Sequence, residues 1–180
     1  MKKTFILISL VLSTFISTIA CASVKHQTLP TASNVDIGRY IGKWYAVSAL
    51  PQFFTCRCIA QSAEYGILST NSITVINTCY KKNGKTSDIK GKAVVVDPTT
   101  NARLEVTFDS FFTNLFKVKG EYVIIKLSIG YDTVLIGSTN RKSLWIMSRT
   151  PAIDPAVFTE YKAYAKSLGF AVDKMVDSQF

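Results

Sequence analysis

The chain predicts an all-β fold, an eight-stranded up-and-down antiparallel β-barrel followed by one C-terminal α-helix. Three observations carry this expectation. From Trp44 to Thr150 the apolar residues recur with period two, the spacing at which one face of a strand is buried. Clusters of turn-forming residues cut that stretch into eight runs joined mostly by short links, and eight hairpin-linked strands can close on themselves and leave few exposed edges. After Pro151 the period changes to that of a helix.

The bulk numbers set the frame. At 180 residues the chain suits one domain with a single sizeable core. The net charge is +9, from 21 basic and 12 acidic residues, but Lys and Arg stand singly or in pairs such as Lys81-Lys82. That scatter argues against a nucleic-acid partner and for a solvated basic surface with some attraction to anionic membrane. The only histidine, His26, precedes the predicted strands, which removes most general-base and metal-ligand schemes.

Residues 1–22 read as a bacterial secretory signal. Lys2-Lys3 form the charged start, Phe5 to Ile19 the apolar run and Ala20-Cys21-Ala22 a small-residue exit. Two cleavage readings stand side by side. Cutting after Ala22 uses Ala20 and Ala22 as the small pair. Cutting before Cys21 resembles a lipoprotein site, which would acylate Cys21 and tether the protein to a membrane, although Leu usually stands where this chain has Thr18. Residues 23–34, with Pro30, Thr31 and Ser33 and no periodicity, read as a linker.

Asp36 is placed to cap a short helical turn, and Gly42 lets the backbone turn before Trp44 opens the first strand on its buried face. The strands are expected at 43–49, 58–67, 72–80, 88–96, 102–109, 120–128, 132–138 and 143–149. Between them lie Ser69-Thr70-Asn71, Lys82-Asn83-Gly84-Lys85, Asp97-Pro98-Thr99-Thr100 and Thr139-Asn140-Arg141-Lys142. The 50–57 connection is longer and apolar, with Leu50, Pro51, Phe53 and Phe54. The 109–120 connection is apolar too, with Phe111, Phe112, Leu115 and Phe116. Asp154-Pro155 supplies a helix cap and an N1 proline, Val157, Phe158, Tyr161, Tyr164, Ala165 and Leu168 recur at helical spacing, and Gly169 is the stop. Residues 171–176 add a last short strand.

Gly42-Lys43-Trp44, and a hundred residues later Leu144-Trp145-Ile146-Met147-Ser148-Arg149-Thr150-Pro151, together resemble the lipocalins, in particular their bacterial and apolipoprotein D-like branch. The resemblance covers about residues 35–176 within a domain set at 35–178. It implies that Trp44 closes the barrel floor, that Arg149 lies over it in a cation–π contact, and that the helix packs on the barrel wall. It also implies that 50–57 is the lid at the open mouth. Ser128-Ile129-Gly130-Tyr131-Asp132 departs from the Thr-Asp-Tyr usual in the family. Bacterial relatives are often anchored in the outer membrane, which favours lipidation of Cys21 and sits beside a periplasmic or secreted alternative.

Alternation puts Gln61, Ala63 and Tyr65 on one face, Ile73, Val75 and Asn77 on the next strand's, and Leu104, Val106 and Phe108 on the fifth's. The resemblance turns these into a ligand-binding set of Tyr65, Asn77, Phe108, Phe112 and Trp145, an aromatic wall with few polar groups that suits an apolar ligand bearing a polar head. The competing expectation is a filled interior. Small residues at Ala46, Ser48, Ala60, Ser62 and Ala63 argue against it.

Four cysteines are present, Cys21, Cys56, Cys58 and Cys79. In an exported chain the last three are expected to pair, and Cys56 and Cys58 are too close for an unstrained mutual bridge. Either joins Cys79. Cys58–Cys79 is preferred, with a bulge in the second strand to bring Cys58 to the same side as Cys79. Cys-x-Cys plus one more cysteine falls short of a soft-metal site, and no cofactor is called for.

Three functions compete. The first is a lipocalin that holds a fatty acid, lysophospholipid or similar lipid at the bacterial cell envelope. The second is an interaction protein presenting loops and basic surface to an envelope or host partner. The third is an enzyme using the spare cysteine, which lacks a base to activate it. The first is adopted, with no enzymatic activity expected. Oligomeric state has no signal in the sequence.

Overall fold

The computed structural model describes residues 28–109 and 119–180. The signal segment with Cys21, and Phe112 with most of its loop, lie outside those residues. The described chain begins with a segment that has no regular secondary structure but is docked along the barrel. Leu29 is buried, its carbonyl accepts from Arg103 Nη2 at 2.7 Å, and Ala32 N donates to the Ile124 carbonyl at 2.9 Å.

One helical turn, α1 (Ile37–Tyr40), precedes the sheet, capped as expected by Asp36, whose carboxylate accepts from Arg39 N. Eight strands follow: β1 (Gly42–Ala49), β2 (Ala60–Ser69), β3 (Ser72–Tyr80), β4 (Thr86–Val95), β5 (Arg103–Phe108), β6 (Lys119–Leu127), β7 (Thr133–Gly137) and β8 (Leu144–Ser148). Each pairs antiparallel with the next, and β1 pairs with both β2 and β8, so the sheet is a closed barrel. The predicted boundaries hold to within two residues at every strand end.

The barrel has two dissimilar ends. At the floor, α1 lies beside the start of β1. At the mouth are the connection from β1 to β2, which carries a 3-10 turn at Phe53–Thr55, and the hairpins 81–85 and 138–143. Residues 171–176 are only partly a strand: a 3-10 turn (Val172–Lys174) precedes β9 (Val176–Asp177), which pairs with Ser48 and Ala49 of β1.

α2 (Pro155–Ser167) lies against the outside of the barrel. Asp154 Oδ1 caps it by accepting from Ala156 N at 2.8 Å and Val157 N at 3.2 Å, and Gly169 with φ +87° ends it. Tyr161 and Ala165 of α2, with Phe170 and Val172 beyond it, bury against the outer faces of β6, β7 and β8 at Val123, Ile125, Leu135, Leu144 and Ile146. Gly137 is needed there, since a Cβ on it would stand 2.7 Å from Phe170 Cζ. The inward faces form a second cluster, from Trp44 and Tyr40 to Leu104, Val106, Ile136 and Met147.

Candidate functional site

The floor is built around Trp44, whose side chain is fully buried. Its indole Nε1 donates to the Tyr40 carbonyl at 2.8 Å, and the Arg149 guanidinium carbon lies 3.8 Å from the ring centroid. Arg149 does more than stack. It donates to the carbonyls of Arg39 (2.8 Å), Tyr40 (3.1 Å), Lys43 (3.0 Å) and Tyr131 (3.1 Å). Two of those carbonyls end α1, where a helix leaves acceptors unsatisfied. Burial draws its pKa below the ordinary arginine value, with Tyr40 and Tyr65 pulling the other way. Gly42 has φ +92°, which favours glycine, and a Cβ there would crowd Arg149 Nη1 at 3.3 Å.

The departure from Thr-Asp-Tyr leaves this floor intact. Ser128 Oγ accepts from the backbone N–H of Asp132 and Thr133, each at 3.1 Å, which closes the 128–132 turn. Tyr131, at φ +60°, takes the Arg39 guanidinium over its ring at 4.0 Å and accepts from Asp36 N on its hydroxyl at 2.9 Å.

Above the floor, register decides which side chains share the interior. Trp44 stands opposite Ala63, Ala63 opposite Asn77, and Asn77 opposite Ile89. A second row runs from Gly42 through Tyr65, Val75 and Gly91 to Phe108. Directly opposed residues on paired strands lie on one face, so Tyr65, Asn77 and Phe108 all face inward with Trp44. Because barrel strands tilt, the second row starts at the floor on β1 and reaches the mouth on β5, where Phe108 is the last strand residue. Trp145 lies opposite Ile136 and Ala49 near the start of β8 and packs at the edge of the interior cluster.

The expected set is therefore spread over two levels. Asn77, Phe108 and Trp145 are partly accessible inward-facing residues on the mouth side. Tyr65 sits at the floor, 5% exposed, with its ring stacked 5.6 Å from Tyr40 and its hydroxyl 3.0 Å from that of Tyr122. Two floor residues were not foreseen, Tyr40 and Tyr122. Tyr122 is in phase with Ile124 on β6, a pattern that marks it as inward-facing; nothing local marks Tyr40.

Of the small residues expected to thin the interior, Ala46 and Ala63 belong to the interior cluster. Ala60, Ser62 and Ser48 do not: Ala60 and Ser62 alternate with the inward Gln61 and Ala63, and the register of β1 on β8 shifts between Ala46 and Ser48, pairing Ser48 with outward Ile146.

Cys58 and Cys79 form a disulfide, leaving Cys56 exposed and unpaired. The bulge expected in β2 is not what permits it. Cys58 precedes β2, which starts at Ala60, and so is free of strand alternation. The bond ties the β1–β2 connection to the end of β3. On its other side that connection is held by Gln52 Nε2, which donates to the Lys142 carbonyl at 3.0 Å. Its tip presents Phe53, 89% exposed, beside Phe54. Among the described residues no three His, Cys, Asp or Glu side chains are grouped to hold a metal ion, and no helix is long and apolar enough to cross a membrane.

Comparison with known proteins places this architecture. The family model described as a lipocalin-like domain matches residues 35–179. Outer membrane lipoprotein Blc of Escherichia coli is 32% identical over 160 residues, covering 88% of this chain and 87% of the relative. Bovine apolipoprotein D is 28% identical over 148 residues, covering 81% of this chain and 77% of that one. Among solved structures, insecticyanin from the tobacco hornworm superposes with a TM-score of 0.66 at 16% identity, covering 86% of this chain and 85% of its own.

Proposed function

This chain belongs to the lipocalin family, and from that premise we propose that its barrel holds a small hydrophobic ligand, a fatty acid, lysophospholipid or similar lipid, for storage or transport at the bacterial cell envelope. The observation that carries the reading is the accessibility of inward-facing apolar side chains. Ile89 is 37% exposed although its register places it on the inner face, and Phe108 and Trp145 also keep accessible surface there. These side chains offer apolar surface to a guest at the mouth side of the interior.

Asn77, Phe108 and Trp145 are the wall contacts of this reading, with Tyr65 below; Phe112, proposed for the same set, lies outside the described residues. The Asn77 side-chain amide bonds to no other described residue, so it is available to a polar atom on the ligand. Nothing in the arrangement is an acid, base or nucleophile set for turnover, and binding is the activity proposed. The names of relatives such as the outer membrane lipoprotein of Escherichia coli support an envelope location, with Cys21 as the acylated tether. Native mass spectrometry of purified protein tests the binding reading. A population carrying the added mass of one lipid supports it, and a protein that stays bare after incubation with fatty acids and lysophospholipids contradicts it.

A further inference from the structure

Tyr40, Tyr65 and Tyr122 come from α1, β2 and β6, and their hydroxyls meet at the base of the barrel interior. Tyr122 Oη lies 2.6 Å from Tyr40 Oη and 3.0 Å from Tyr65 Oη. A phenol has one proton to give, and each oxygen–oxygen contact uses one proton. Three hydroxyls joined by two contacts therefore leave one proton over, and no other group among the described residues accepts it. Lone pairs also remain, so the cluster can accept as well as donate.

The cluster is uncharged at neutral pH. Burial pushes the Tyr65 hydroxyl up to about 12 and those of Tyr40 and Tyr122 well above the usual phenol range. Among the described residues no charged side chain hydrogen-bonds to it. Arg149, whose guanidinium lies at the floor, is committed to four backbone carbonyls and the Trp44 ring. Tyr40 is fully buried and Tyr65 nearly so, whereas Tyr122 retains partial exposure. Tyr122 stands opposite Leu104 on the inner face. Tyr122 is thus the one member of the cluster that is not sealed.

We propose that Tyr122, backed by Tyr40 and Tyr65, anchors the buried end of a long apolar ligand whose head is an uncharged oxygen group: an alcohol, a carbonyl or a protonated carboxylic acid. The inference rests on the reading of the barrel interior as a lipid site and assigns the orientation, head down. An alcohol or carboxylic acid accepts the leftover proton and donates its own to a free phenol lone pair. A carboxylate, phosphate or choline head carries full charge into a site beside which the Arg149 cation already has its donors committed to backbone carbonyls, and the desolvation cost keeps such heads at the mouth.

Equilibrium dialysis of radiolabelled dodecan-1-ol and dodecane against the parent and a Tyr40→Phe/Tyr65→Phe/Tyr122→Phe variant tests this. The variant keeps all three rings and removes mutually bonded hydroxyls together, a change that can be nearly neutral for folding. The expected result is dodecan-1-ol binding weakened about tenfold and dodecane binding changed less than about twofold. Should the triple variant lose its near-ultraviolet circular dichroism, Tyr122→Phe alone carries the same expectation, since it removes the hydroxyl that joins the other two. Unchanged dodecan-1-ol binding, or equal weakening of both chains, overturns the anchor and leaves the lipid site standing. A parent that binds neither chain overturns both.

Discussion

The ring of Phe108 lies across Gly91. A Cβ built on that glycine would come within 3.0 Å of Phe108 Cδ1 and 2.3 Å of the Thr107 carbonyl oxygen. Gly91 and Phe108 are directly opposed on β4 and β5, so the pair fixes where the last aromatic of β5 enters the barrel. Gly91→Ala should force the two strands apart, at a cost of about 1–3 kcal/mol, and shift Phe108 from the wall. A lowered melting temperature together with weakened lipid binding is the expected outcome of paired denaturation and titration measurements.

The floor makes a second prediction. Trp44 is buried under Arg149 and hydrogen-bonded to Tyr40. Trp44→Ala should cost on the order of 3–5 kcal/mol, read as a shift in the urea midpoint. Arg149→Lys should also destabilise, because an ammonium cannot reach four carbonyls in divergent directions and stack on an indole at once. A midpoint unmoved by either substitution would remove the floor from the list of what holds the barrel shut.

Alkaline pH should find the phenol cluster. The Tyr65 hydroxyl titrates at about 12 in the folded chain against 10.0 ordinarily, raised chiefly by burial. Below the ordinary value both states hold the proton and the stabilisation is complete. As pH rises from there, the unfolded chain releases the proton first, so stability falls through the folded value. Tyr40 and Tyr122 shift in the same direction. Denaturation midpoints should therefore drop between about pH 10 and about pH 12, and the drop should be shallower in Tyr65→Phe.

Much of this was legible in the chain because strand alternation and turn chemistry are local. Trp44 and Arg149 could be paired from sequence through the family resemblance, and the geometry adds that Arg149 also satisfies the end of α1. The depth of Tyr65 was not legible, since alternation gives a face but not a level; the tilt of the strands decides that. Nor was the partnership of Tyr40 with Tyr122, 82 residues apart and joined only by barrel closure. Cys58 misled the alternation argument because the strand starts two residues later than expected, which freed the cysteine from the pleat.

The tether makes its own prediction. If Cys21 is acylated after cleavage, the parent should fractionate with membranes and require detergent, while Cys21→Ser should be released from them. An intact mass that begins at Ser23 and carries no lipid would contradict the tether.

The central claim is that a lipid enters the barrel between Phe108 and Trp145. Its most direct test is titration of the parent and Phe108→Asp with a sixteen-carbon fatty acid, followed by tryptophan fluorescence. Apolar burial contributes ~25 cal/mol for each Å² removed from water, which supports micromolar or tighter binding by the parent. Trp145 on the inner face should be quenched, and Phe108→Asp should stay folded, because a charge near the mouth can remain wetted, yet lose the ligand. Equal binding by the two proteins would place the lipid outside the barrel and contradict the account.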